Sequence, residues 1–324
     1  MKHTTRRAAG VLAAAGLLTL AGCGSSQPSK AEDEARAAAA GGPITLTDAA
    51  GREVELPAPA ERVVVLEWQQ TEDVLSLGVT PVGVADTEGY RTWVTAEELP
   101  EDVADVGMRG EPNPDAIFSQ EPDLVIAEEG TDLKQLEKYD VPVLVTAGAD
   151  TEDPVAQMKE TFTLIARALG KEARAAEVLD EFDQKLADAK AEVAALEPET
   201  TEFAYVDAWV MGSTVSIRPF GQGSLVGELG EELGLTNVWK GEVDKAYGLG
   251  QTDLEGLADI GDAFLFYTGT DADTWLSEIE DNSVWKHAEF VEKGRTAAFP
   301  EGTWTFGGPR SSAQVLDGFV QALQ

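Results

Sequence analysis

From Lys171 to Leu196 the chain runs without Gly or Pro. Small or apolar residues recur at Ala175, Leu179, Phe182, Leu186, Ala189, Val193 and Leu196. The alternating steps of four and three place them on one face of a helix, and Pro198 ends it. At ~1.5 Å per residue such a helix spans roughly 40 Å, longer than an ordinary globular helix. It is either a strut between two lobes or a long surface helix of one domain.

Strand-and-helix patterns precede this stretch and resume after it. Ile44–Thr47 and Glu53–Leu56 flank Asp48-Ala-Ala-Gly51 as a hairpin. Runs at 62–66, 82–85, 124–127 and 141–145 read as buried strands, with helices over 72–77, 114–119, 133–139 and 153–169. Beyond the long helix, strands are expected at 203–206, 214–217, 263–267 and 296–299. Helices are expected at 224–233, 253–260, 273–279 and 309–323. Alternating β and α elements argue for mainly parallel sheets covered by helices.

Residues 1–22 read as a leader: Arg6 and Arg7, then an apolar run from Ala8 to Ala21 that is too short to span a bilayer. Leu20-Ala21-Gly22-Cys23 matches a lipobox, which makes Cys23 the lipidated first residue of an exported chain. Residues 23–43 read as a flexible tether. Cys23 is the single cysteine, so no disulfide forms within the chain. Removing the leader takes away Lys2, Arg6 and Arg7 and no acid, moving the formal charge from −35 to −38. Nucleic acid is excluded as a partner, because its phosphates need a basic surface. A neutral or cationic ligand suits this charge better than an anionic one.

The mature chain holds one histidine, His287. A His/Cys zinc site is therefore out of reach, and a Ser-His-Asp triad would have to use His287. Gly221-Gln-Gly-Ser-Leu-Val-Gly227 is neither a nucleophile elbow nor a Walker sequence. What stands out is aromatic residues beside arginines at loop positions. They are Trp68, Tyr90-Arg-Thr-Trp93 and Arg109 before the long helix, and Trp209, Arg218-Pro-Phe220, Trp239, Tyr247, Trp304-Thr-Phe306 and Arg310 after it. Trp68 and Trp304 fall just past expected strand ends, where open α/β sheets bind ligands. Aromatic walls with a few fixed donors make a small-molecule pocket. Trp275 and Trp285 lie in helical patterns and read as core.

Val63 to Gly130 resembles the first lobe of periplasmic ferric-hydroxamate siderophore-binding proteins of ABC importers. The matching stretches are VVVLEW, LSLGVTPVGVADTEGYRTWV, DVADVGMRGEPN and PDLVIAEEG, with looser likeness from GQGSLVGELGEELGLTNVWKGE to the Trp304 region. The resemblance implies two Rossmann-like α/β lobes joined by one long helix, with the ligand between them. It implies that Arg109 reaches the iron-bound hydroxamate oxygens. It makes Trp68, Asp86 and Trp93 further cleft positions, and Trp239, Tyr247, Trp304 and Phe306 the opposite wall. Where the family carries Trp and Tyr, this chain has Ala127 and Thr131. Arg310 or Arg218 is then expected to replace the missing tyrosine donor. Glu111 and Glu228 are the candidates for docking on arginines of the permease.

These readings assign 44–170 to a first lobe, 171–197 to the linking helix and 198–324 to a second lobe. The expected protein is a monomeric, lipid-anchored, non-enzymatic carrier of a ferric hydroxamate, of the ferrioxamine type. It needs no cofactor, because the siderophore supplies the iron ligands. Another chelate (cobalamin, haem or a ferric catecholate), an exported hydrolase using His287, and an adhesion module without a small ligand remain the competing readings. The pocket candidates divide on either side of the long helix, which favours the strut. A continuous helix also lacks a pliable hinge, so little lobe motion is expected.

Overall fold

Short apolar runs become two parallel-rich sheets, each with its own core. The computed structural model describes residues 42–136, 138–212, 214–268 and 275–324. The leader, Cys23 and nearly all of the tether lie outside them. The first lobe opens with an antiparallel hairpin, β1 (Ile44–Thr47) and β2 (Glu53–Leu56), in register Ile44 to Leu56. Its sheet uses β3 (Val63–Val65), β4 (Gly83–Val84) and β5 (Ala104–Asp105). A small hairpin of β6 (Gly107–Met108) and β7 (Glu111–Pro112) follows, then β8 (Leu124–Glu128) and β9 (Val143–Thr146). The order is β5-β4-β3-β8-β9, with every pairing parallel.

Helices α1 (Trp68–Ser76), α2 (Thr87–Trp93), α3 (Pro114–Phe118) and α4 (Pro154–Leu169) cover this sheet. Asn113 and Asp153 cap α3 and α4, each with Pro at the first position, as the composition leads one to expect. The expected helix over 133–139 is only a 3-10 turn, Leu133–Gln135. Helix α2 was not foreseen. Asp86 starts it in the left-handed conformation at φ 56°, and its carboxylate accepts from the Gly89 amide.

The long helix α5 covers Glu172–Leu196. Its buried side chains divide between two cores. Ala175 and Val178 pack with Leu124, Phe162 and Ile165 of the first lobe. Phe182, Ala189 and Val193 pack with Phe203, Leu229 and Phe319 of the second. The helix is thus part of both cores and reads as a strut. Val178 joins the first lobe's core beside a partly buried Leu179, and Leu196 is exposed.

In the second lobe, β10 (Glu202–Met211) and β11 (Thr214–Phe220) are antiparallel. Strands β12 (Thr236–Asn237), β13 (Phe264–Tyr267) and β14 (Thr296–Ala298) add in parallel. The covering helices are α6 (Leu225–Glu232), α7 (Leu254–Ala258), α8 (Trp275–Ile279), α9 (Ser283–Lys286), α10 (Glu289–Glu292) and α11 (Pro309–Leu323). Trp275 and Trp285 are buried edge to face in this lobe's core. Among the described residues no helix is long and apolar enough to cross a membrane.

A polar seam closes the lobes on each other. Glu72 and Asp73 on α1 are fully buried. Glu72 accepts from the Ser311 amide at 2.9 Å and from the Ser311 hydroxyl, at the start of α11. A Cβ at Gly308 would collide with the Asp73 carboxylate, so only glycine lets the chain pass there. Burial pushes Glu72 up to about 7, against the opposing Ser311 hydrogen bonds. Burial, and then the Glu72 charge, pushes Asp73 well above the usual carboxylate range.

Candidate functional site

Loops at the carboxyl ends of the strands meet between the lobes, and a cavity of about 310 Å³ opens there. The first lobe contributes Glu67, Arg109 and Glu128 to its wall. The second contributes Arg218, Tyr247, Trp304 and Phe306.

Arg109 sits in the turn of the β6–β7 hairpin. The hairpin is in register Met108 to Glu111. Gly107 takes φ 107°, and a Cβ there would meet the Asn113 nitrogen at 2.7 Å. The tight entry therefore requires glycine. From this turn the Arg109 guanidinium lies 4.0 Å from the Trp68 ring centre and 5.4 Å from that of Trp304. Its Nε is 2.5 Å from the Glu67 carboxylate.

Arg218 reaches the cavity from β11. Its partner across the ladder is Asp207 of β10, and the pair is bidentate, with Nε donating at 2.8 Å. Phe306, Trp209 and Phe220 surround the guanidinium at 5.3 to 5.7 Å from their ring centres. Burial raises Asp207, and Arg218 opposes that rise.

Tyr247 bridges the lobes. Its hydroxyl donates to Glu128 at the end of β8, and its ring stands edge-on to Phe306. Burial raises Glu128, the Tyr247 hydrogen bond opposes the rise, and the neighbouring Glu67 charge adds to it. Gln70 approaches the other Glu128 oxygen at 3.4 Å and donates to Thr146 at 2.9 Å.

Arg109, Arg218, Tyr247, Trp304 and Phe306 are therefore brought together. Trp68 lies beneath them, edge-on to Trp304 at 5.0 Å, with its indole nitrogen donating to the Asp86 carbonyl. Asp86 caps α2, so it positions the floor instead of lining the cavity. Trp93 packs in the same apolar group as Trp68 and Trp304.

Two further expectations need correction. Trp239 lines a different cavity of the second lobe, beside Glu202, Gly241 and Asp259, with Gly221, Gly241 and Gly250 closing over its indole. Arg310 is drawn away from the cleft by Glu181 of the strut at 2.6 Å and Glu97 at 3.6 Å. It ties α11 to the strut and to the first lobe, and supplies no donor to the cavity. His287 is exposed at the end of α9, its ring nitrogen 2.8 Å from the Ser283 carbonyl.

Glu111 is exposed on β7. Glu228, in the first turn of α6, is half-buried, and burial together with Glu231, Glu232 and Asp153 raises its carboxyl. Glu67, Glu128 and Asp207 escaped the sequence reading, since carboxylates are too numerous in this chain to single out. The position of Glu128 at a strand's carboxyl end was the available signal.

The model of the periplasmic binding protein family matches residues 63–302. The chain is 28% identical over 269 residues to the iron(3+)-hydroxamate-binding protein FhuD of Escherichia coli, covering 80% of this chain and 86% of that one. It is 31% identical over 299 residues to the Fe(3+)-citrate-binding protein YfmC of Bacillus subtilis, covering 91% and 90%. The structure of the siderophore-binding protein FhuD of Vibrio cholerae with Fe3+-Desferal superposes with a TM-score of 0.70 at 26% identity, over 81% of this chain and 97% of that one. The two lobes, the strut and the cleft with its aromatic and arginine walls thus belong to a member of the periplasmic binding protein family, which is a family of binding proteins and not of enzymes.

Proposed function

We propose that this protein captures a ferric siderophore of the hydroxamate type in the interlobe cleft and delivers it to an ABC permease. The carrying observation is charge. Both cleft arginines already face a carboxylate: Arg109 has Glu67 and Arg218 has Asp207. Glu128 adds a further acid to the cavity wall beside Glu67. The cleft offers donors without surplus positive charge. A tris-hydroxamate ferric core is neutral, and a ferrioxamine with a free amine is cationic, so either enters without unpaired charge. Ferric citrate and a triply anionic ferric catecholate would need cationic excess.

Among the described residues no group of three or more His, Cys, Asp or Glu is arranged to hold a metal ion. Arg109, Arg218 and the Tyr247 hydroxyl would contact chelate oxygens, while Trp304 and Phe306 cover its apolar spacers. Cys23 would carry the lipid that holds a monomer at the outer face of the cytoplasmic membrane. Glu111 and Glu228 would meet the permease.

Titration of tryptophan fluorescence with ferrioxamine, ferrichrome, ferric citrate and a ferric catecholate tests the reading. The hydroxamates are expected to bind tightest. Tighter binding of citrate or catecholate would overturn the hydroxamate assignment, and binding of none would overturn the siderophore reading itself.

A further inference from the structure

The β10–β11 hairpin is longer than its sheet requires. Strand β13 pairs only with Phe203–Val206 of β10. From Asp207 onward β10 pairs, among the described residues, with β11 alone, out to Met211 opposite Thr214. Alternation along the strands divides the outer part into two faces. Ala208 and Val210, opposite Ile217 and Val215, form one face, and Ala208, Val215 and Ile217 pack into the lobe's core. The other carries Asp207, Trp209 and Met211, opposite Arg218, Ser216 and Thr214. This second face starts at the Asp207–Arg218 pair on the cleft wall and continues outward.

Its apolar side chains are uncovered. Trp209 is 42% exposed and Met211 62%, with Val210 at 44% behind them. Met108, next to Arg109 on the other lobe, is 62% exposed. Among the described residues the only other large hydrophobic so exposed is Leu196. Of these five, Met108 directly precedes Arg109 in the chain and Trp209 lies 5.5 Å from the Arg218 guanidinium, with Met211 two residues further along the same face. Single exposed hydrophobics need no explanation, but a row continuous with a ligand cleft does.

We propose that this face is a distal subsite of the cleft, and that it takes a linear apolar chain attached to the ferric chelate, as in an acylated siderophore. The inference rests on the siderophore reading above. Three observations select that occupant. The apolar column is one side chain wide, bordered by the hydroxyls of Ser216 and Thr214, which fits a chain better than a protein partner's broad face. Asp207 to Met211 spans about 13 Å at ~3.3 Å per residue, the reach of a medium-length acyl group leaving the cavity. The formal charge, −35 for the whole chain and −38 without the leader, opposes contact with an anionic bilayer. Trp209, 5.5 Å from the Arg218 guanidinium, joins the two parts of the site.

The test compares two probes of equal charge, the ferric complexes of N-acetyl and N-decanoyl desferrioxamine, by equilibrium dialysis with radio-iron. The wild-type chain is expected to bind the decanoyl complex at least about tenfold tighter. In a Trp209→Ser, Met211→Ser double variant that ratio is expected to fall to about one. A wild-type ratio of one, or a ratio that survives in the variant, overturns the subsite. So does a decanoyl preference that coincides with wild-type binding to neutral phosphatidylcholine vesicles and is lost with it, since the patch would then be a membrane contact. If the wild-type chain binds neither probe, the siderophore reading fails first and the subsite falls with it. A ratio of one with both probes bound removes the subsite alone.

Discussion

Glu67 and Asp207 govern what Arg109 and Arg218 offer a ligand. With its carboxylate 2.5 Å away, Arg109 presents donors but little net charge. Glu67→Gln should leave that charge uncompensated and raise the ratio of ferric citrate affinity to ferrioxamine affinity at least ~tenfold, given the strength of charge pairs near a protein surface. An unchanged ratio would show that Glu67 does not set selectivity. Arg310 teaches the converse. Its chain position beside Trp304 and Phe306 made it a donor candidate, yet Glu181 and Glu97 hold it at the seam. Arg310→Ala should therefore keep siderophore affinity within about twofold and lower stability by about 1 kcal/mol, as expected for a partly exposed pair. No chain pattern reveals such a partner. Glu72 is a further case, since Ser311, 239 positions away, is what satisfies it. With Glu72 pushed up from 4.5 to about 7, the native state keeps a proton that the unfolded chain releases in that window. Its stabilising contribution is whole below about pH 4.5 and is lost as pH rises through about 7. The loss is about 3 kcal/mol. Glu72→Gln should reduce the drop in unfolding free energy between about pH 4.5 and 8 by that amount in urea titrations; an unaltered drop would mean Glu72 is ionised throughout.

Elements were legible in proportion to their length and regularity. The strut announced itself by a stripe sustained over seven turns, and α4 by Asp153-Pro154 and Gly170 at its ends. Short elements depend on contacts made after folding. Helix α2 begins at a left-handed Asp86 that is held by Gly89 and by the Trp68 indole, and the β6–β7 hairpin has only two residues per strand. Strand β10 was expected to end at Val206, because Asp207 breaks the apolar run; the bidentate Arg218 carries it onward. The stripe along the strut was right in period, and at the first lobe it widens to take in Val178 beside Leu179. Energetics follow burial. Phe182→Ala, emptying a site inside the second lobe's core, should cost about 3–5 kcal/mol. Leu196→Ala, at the exposed end, should fall within ~0.5 kcal/mol of wild type. Equal costs in urea unfolding would contradict the burial of Phe182 in the second core and the exposure of Leu196.

At the scale of the molecule, the lobes are held by more than the strut. Thr95 donates to the Gly302 carbonyl from both its amide and its hydroxyl, at 3.1 and 3.0 Å. Glu72 grips the start of α11. Arg310 joins strut, loop and terminal helix. Tyr247 reaches Glu128 across the cleft, and Trp304 stands against Trp68. The two-lobed plan was readable from the repeated βα pattern, but this seam was not, because each tie joins residues far apart in the chain. Hinge closure needs a few residues free to absorb large backbone rotations, and here a continuous helix and buried polar ties occupy that place. Opening the lobes would expose Glu72 and Asp73 and strand Ser311 without its acceptor. Ligand binding should then rearrange side chains at the cleft, Tyr247 and Glu128 above all, while the lobes keep their relative positions. Small-angle scattering of the free and ferrioxamine-loaded protein should give coincident profiles. A radius of gyration that falls clearly on loading would mean that the seam opens in the free protein and that the ties form only around the ligand.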